Sequence, residues 1–129
     1  MRTDLPAFAT ELLYQSRVAR LGTADRAGQP LVVPVCYVFD GRACFSAIDG
    51  KPKRVAAARL RRVRNIEENP RVSLTVDRYD EEWSRLCWVI VQGAAIFSPK
   101  GPSGRRPSIS CWPSTRSIAP CRSTGTPQP

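Results

Sequence analysis

Apolar positions along the first hundred residues fall into short blocks, each bounded by a turn signal. Residues 4–15 put Leu5, Phe8 and Leu12 on one face of a short helix, with Asp4 as its cap and Pro6 in its first turn. Arg17–Thr23 reads as a strand carrying Val18 and Leu21. The segment Asp25-Arg26-Ala27-Gly28 is a turn in which Gly28 is free to take positive φ. Leu31–Phe39, LVVPVCYVF, is β-branched and aromatic throughout and is the strongest strand of the chain. Pro34 sits inside it and cannot donate to a ladder. It therefore belongs on an edge, at a bulge, or where something other than a strand approaches. Asp40-Gly41 is the preferred dipeptide of a two-residue hairpin, and Arg42–Ile48 is the returning strand.

The pattern then changes period. From Val55 to Ile66 the apolar residues Val55, Ala56, Leu60, Val63 and Ile66 share one arc at helical spacing. Arg54, Arg61 and Asn65 project from the opposite side, with Arg62 and Arg64 flanking. Pro52 suits the first turn and Asn69-Pro70 the stop. The helix thus has an apolar side for a core and a cationic side. Lys51, Lys53 and Arg54 stand beside the free N–H groups of its first turn, which is a natural seat for a phosphate. A solvated charged face is the plainer reading of the same residues.

Beyond the helix, Arg71–Asp77 alternates Val72, Leu74 and Val76 against polar neighbours, as a strand does. The loop Arg78–Ser84 is acidic and aromatic, and Arg85–Ser98 is a long strand with Gly93 as a bulge or close-contact point. The acidic groups Asp77, Asp80, Glu81 and Glu82 read as a solvated loop that neutralises nearby arginines. Strands in hairpin order with one crossing helix predict a mainly β fold, an antiparallel barrel rather than a doubly wound sheet.

Near Pro99 the pattern ends. Residues 101–129 hold six prolines, six serines, four arginines and no acidic residue, with neither helical nor strand period. Such a composition buries too little apolar surface to offset its ordering entropy, which predicts a disordered tail after a domain of residues 1–100. Its abrupt onset also resembles a coding sequence that has left its frame.

Charge and chemistry narrow the function. The 129 residues carry 20 Lys+Arg against 11 Asp+Glu, a formal charge of +9, which favours an anionic partner. No histidine is present, which excludes imidazole metal sites and Ser-His or Cys-His nucleophile pairs. Cys36, Cys44, Cys87, Cys111 and Cys121 are widely spaced and form no CxxC pair, so neither a zinc site nor a disulfide scaffold is indicated. Cys36, Cys44 and Cys87 read as small buried core residues. No apolar run approaches a bilayer span, and the N-terminus lacks the apolar stretch of a secretory leader. A reducing cytoplasm is the expected location.

Two stretches together, RVARLGTADRAGQPLVVPVCYVFDGRACFSAIDGKPKR and RLRRVRNIEENPRVSLTVDRYDEEWSRLCWVIVQGAAIF, resemble the pyridoxamine-phosphate-oxidase-like split-barrel flavoproteins. Within that family they look most like the coenzyme F420-dependent oxidoreductases, over roughly residues 5–100. The resemblance implies a six-stranded, antiparallel split β-barrel of Greek-key type. It also implies a homodimer, with FMN or coenzyme F420 held between subunits. It places the ring along Val33, Pro34 and Val35, and the phosphate at Ser46, Lys51, Lys53 and Arg54. Arg62 joins these because relatives carry a basic residue eight positions before the proline of the NPR turn. The partner subunit would lend an aromatic wall, for which Trp88 is the choice, against a plain core role for the same residue. Family members end in a further helix and a final strand, and residues 101–129 do not match that ending. The departure points to a missing strand and a weakened, cofactor-poor or inactive member.

The activity so implied is hydride transfer between reduced F420, or FMN, and a small organic acceptor, with no catalytic side chain named and no metal. Two rivals are a cofactor carrier without turnover and a basic nucleic-acid-binding module. Against the latter, the aromatic residues lie in apolar strands and are not interleaved with the charges. The expected partners are therefore a second copy and a small molecule, with neither nucleic acid nor membrane.

Overall fold

A computed structural model describes residues 6–48, 60–99 and 107–119, the last stretch as backbone only beyond Trp112. Within them the chain forms two helices and seven strands. Helix α1 (Ala7–Gln15) follows Pro6, whose carbonyl accepts from the N–H groups of Ala9 and Thr10 at 3.0 and 3.1 Å. It turns Ala9, Leu12 and Leu13 into the core, with Phe8 packed at the margin. Pro6, expected in the first turn, instead takes the N-cap position expected of Asp4, and Asp4 and Leu5 themselves lie outside the described residues.

Strands β1 (Val18–Ala24) and β2 (Pro30–Cys36) form an antiparallel hairpin. Its turn is held by the Asp25 carboxylate, which accepts from the N–H groups of Ala27 and Gln29, both at 2.9 Å. Gly28 takes φ 87°, as the turn requires.

The expected strand Leu31–Phe39 is interrupted at Tyr37. The Tyr37 hydroxyl donates to the Leu13 carbonyl at 2.6 Å in the interior, and its N–H donates to the Arg17 carbonyl at 3.1 Å. Anchored to α1 and the start of β1, the chain turns and resumes as β3 (Val38–Phe39), which pairs with β4 (Cys44–Ala47). This break, together with the final strand described below, is why seven strands are found where the sequence predicts five for this chain. In the β3–β4 hairpin the turn falls one residue later than Asp40-Gly41. Asp40 and Ala43 close it through an N–H to carbonyl bond of 3.2 Å, leaving Gly41 (φ 100°) and Arg42 at its tip. Bonds from the N–H groups of Ala43 and Arg42 hold the Asp40 carboxyl below its ordinary pKa.

Helix α2 (Arg61–Glu68) starts later than the pattern predicts: Leu60, expected inside the helix, is extended with ψ 140° and forms its N-cap, and the part of the expected helix before it lies outside the described residues. Val63 and Ile66 are buried as the arc predicts. Asn65, placed on the cationic side by that pattern, is instead buried. Its Nδ2 donates to the Thr23 hydroxyl of β1 at 3.0 Å, which satisfies half of this buried amide, while its Oδ1 meets no donor among the described residues.

Strands β5 (Arg71–Arg78) and β6 (Cys87–Ser98) pair in one long ladder, with Val72, Leu74, Val76, Cys87, Val89 and Val91 inward. Cys44 and Cys87 are buried as expected, whereas Cys36 is exposed, because on β2 it falls on the face opposite Val35.

The largest correction concerns the C-terminal segment. A final strand is present: β7 (Ser108–Ala119) runs antiparallel between β6 and β4. Its composition misled because its backbone is paired with β6 over nearly its whole length and with β4 over Ser108–Cys111, which a weakly apolar sequence can exploit. Its two neighbours also shelter short side chains: Ser108, Ile109, Ser110 and Cys111 are all buried. Gly93 is the point of irregularity foreseen for β6. It opposes Pro113 while Gln92 opposes Thr115, so Ser114 is the extra residue and the proline sits at the bulge. The sheet order is β2-β1-β5-β6-β7-β4-β3, antiparallel throughout.

Candidate cofactor-binding site

Three arginines of α2 have distinct surroundings. Arg61 and Arg64 are exposed, and Arg62 is half-buried. The Nε of Arg62 is buried and meets no acceptor among the described residues. Burial lowers the pKa of this guanidinium. A guanidinium is donor-only, so a buried Nε–H without an acceptor is costly and suits an anion that can complete it. Helix α2 packs on β1 and β6, which fixes where that donor stands.

Pro34 lies on β2, an edge of the sheet, opposite Arg20. The N–H of Asp25 donates to the Gln29 carbonyl at 3.1 Å, and that of Tyr37 to the Arg17 carbonyl at 3.1 Å. Both mark hydrogen-bonded pairs in the same register, and such pairs alternate along an antiparallel ladder. Arg20 and Pro34 therefore form a non-hydrogen-bonded pair. The position of the missing N–H faces the free edge, and the proline costs the ladder nothing. Of the three expected ring-lining residues, Pro34 is exposed, Val33 packs against the core margin and Val35 is buried.

Ser46 is 7% exposed on β4, opposite Ile109 and on the core-facing side with Cys44. Strands β2 and β4 lie toward opposite ends of the sheet order yet touch, so curling of the sheet brings together the two strands that carry the expected ring and hydroxyl positions. Trp88 is on the outer face of β6 and 43% exposed, which sets aside the plain core role. Pro34, Arg20, Thr75 and Ile90 form one row across β2, β1, β5 and β6, with Trp88 two positions from Ile90. Three strand spacings separate β2 from β6, about 14 Å. The structure thus does not bring Trp88 against Pro34 of the same chain. Lys51, Lys53 and Arg54 lie outside the described residues.

Between those two residues the outer face carries a pair that sequence reasoning missed. The Arg20 guanidinium donates to the Asp77 carboxylate at 3.0 Å, joining β1 to β5. Only their outward position in each strand hinted at it, because 57 residues separate them. Among the described residues no group of three or more His, Cys, Asp or Glu could hold a metal ion, and no helix is long and apolar enough to cross a membrane.

The family model for pyridoxamine 5'-phosphate oxidase matches residues 5–108. The chain belongs to that family. No curated protein matches it. Among solved structures it is similar to a conserved hypothetical protein of Mycobacterium tuberculosis, with 18% identity, a TM-score of 0.76, and coverage of 97% of this chain and 90% of that one. An FAD-binding protein of Mesorhizobium loti gives 23% identity and a TM-score of 0.66, covering 88% of this chain and 94% of that one. An F420 reductase gives 20% identity and a TM-score of 0.66, covering 88% and 98%. At these identities the likeness establishes the fold, a mainly antiparallel split barrel, and the family match agrees with it.

Proposed function

We propose that this member of the pyridoxamine 5'-phosphate oxidase family binds coenzyme F420, or FMN in its place. It would do so as a cytoplasmic homodimer that transfers a hydride between the reduced cofactor and a small organic acceptor. The observation that supports the reading is the buried Nε–H of Arg62, which meets no acceptor among the described residues and suits an anionic group. By the family resemblance, Lys51, Lys53 and Arg54 would supply further cations and Ser46 a hydroxyl. The edge of β2 at Val33-Pro34-Val35 offers a flat strand lacking one donor, against which a planar ring can lie. Trp88 of a second copy closes the far side, since the same chain's Trp88 is three strands away. When bound, the deazaflavin or flavin ring supplies the hydride chemistry. The protein orients the ring, neutralises the phosphate and excludes water, and a chain without histidine fits that division of labour.

Mixing the protein with F420 or FMN, desalting, and recording the absorbance spectrum tests the binding claim and separates the two cofactors. Retention of neither cofactor by a folded protein would remove the proposal. Lys51→Ala with Lys53→Ala, and separately Arg62→Ala, should each weaken the retained cofactor at least about tenfold, since a charge-assisted bond contributes roughly 1.5–3 kcal/mol. Retention without oxidation of the reduced cofactor by any small acceptor would identify a carrier without turnover.

A further inference from the structure

Cys44 and Cys111 stand directly opposite one another across the seam between β4 and β7. Both are free and buried, at 3% and 2% exposure, on the core-facing side of the sheet. Their pairing type follows from the register. The Ile48 N–H donates to the Pro107 carbonyl at 2.8 Å, which marks a hydrogen-bonded pair four positions along. Alternation makes Cys44 and Cys111 hydrogen-bonded as well. The other side of β4 agrees: Asp40 and Ala43 are hydrogen-bonded, so Phe39 and Cys44 are not, and the backbone groups of Cys44 turn toward β7.

Hydrogen-bonded opposite residues have Cα atoms about 5.5 Å apart, within the 4.4–6.8 Å that a disulfide spans. Their Cβ atoms, roughly 4.5–5.5 Å apart, must draw together by about 1 Å. A disulfide there is reachable but strained, and strained disulfides are the readily reduced ones.

We propose that Cys44 and Cys111 are an oxidative cross-link site, at which a small organic disulfide converts the two thiols into a reversible disulfide clasping β7 to β4. One cysteine thiolate attacks a sulfur of the reagent, forming a mixed disulfide and expelling one reagent thiolate. The second cysteine thiolate then attacks the protein sulfur of that mixed disulfide and expels the other. Two protein thiols lose two protons and two electrons, and one reagent disulfide becomes two thiols.

Burial raises the Cys44 thiol to about 12, with the neighbouring Cys111 adding to the effect, and raises Cys111 to about 11. Neither thiol is therefore ionised while the seam is closed, and oxidation proceeds through its opening. Among the described residues the far side of β4 pairs with just the two residues of β3, so this seam borders a thinly supported hairpin. The exposed Cys36 reacts first and without any opening.

The test uses the full chain with Cys36→Ser and Cys121→Ser, treated with oxidised glutathione, then digested without reduction and mapped by mass spectrometry. The expected result is a linked peptide pair containing Cys44 and Cys111. Two thiols should be lost together, no glutathione should be retained, and Tm should rise by at least about 5 °C, reversed by dithiothreitol. Adding Cys111→Ala, or Cys44→Val if the first variant fails to fold, should abolish both the link and the rise. Persistence of all thiols in the folded protein, glutathione left on either cysteine, or pairing through Cys87 would each overturn the proposal.

Discussion

Strands β5 and β7 flank the same strand, β6, yet reach their places by different physics. Strand β5 announces itself: Val72, Leu74 and Val76 alternate inward, and each is nearly fully buried in the core that α1 helps cover. Strand β7 begins Ser-Ile-Ser-Cys-Trp-Pro, and among its described side chains only Ile109 and Cys111 are apolar and core-facing. Its compensation is position. It lies between two strands, so its backbone is bonded to β4 over Ser108–Cys111 and to β6 over nearly its whole length. One strand is specified by what its side chains bury, the other by what its backbone can pair with.

The severest way to break this comparison is to delete residues 107–129. Strands β4 and β6 then each lose a ladder and expose an edge. We expect loss of the cooperative thermal transition or insoluble protein. A truncated chain that melts cooperatively near the full-length Tm would mean that β7 is dispensable. Point substitutions sharpen the contrast. Leu74→Ala in β5 should cost about 2–5 kcal/mol in urea unfolding, as a large buried side chain does. Ser110→Ala in β7, equally buried, should cost less than about 1 kcal/mol because it removes little volume and no backbone bond. Equal costs would refute the distinction.

Alkali should then loosen β7 before β5. The thiols of Cys44 and Cys111 ordinarily titrate near 9.0 and are held at about 12 and about 11 in the fold. The folded state keeps protons that the unfolded state releases, so stability is complete below pH 9 and declines as pH rises toward 12. Tyr37, moved by burial from 10.0 to about 12, adds to the decline above pH 10. Hydrogen exchange followed from pH 8 upward should show the β4–β7 amides losing protection first. The smallest effect is expected from Arg20→Ala. The pair with Asp77 ties β1 to β5, but its side chains are 53% and 41% exposed, so its removal should shift stability by no more than about 0.5 kcal/mol.

Parts of the site were readable in the chain for the same reason that β5 was. Arg62 falls between the apolar and cationic arcs of its helix, and that intermediate placement is what half-buries it. Pro34 announced a break in pairing, but its sequence admitted an edge, a bulge or a ligand. The register with Arg20 was needed to show that its missing N–H faces the open edge. Asn65 was misplaced because a helical arc counts polarity, whereas burial of an amide depends on finding Thr23 42 residues away.

Alternation, turn residues and helical spacing are local properties, and they by themselves determined the first two hairpins, strands β5 and β6 and the mainly antiparallel fold. Where a backbone must find its partner was decided only in the folded sheet. Residue 44 meets residue 111 there, and β7 owes its existence to neighbours whose hydrogen-bonding groups no local pattern could reveal. Side-chain burial leaves a periodic mark on a sequence, whereas a ladder bond is made by groups that every residue carries, and so leaves almost none.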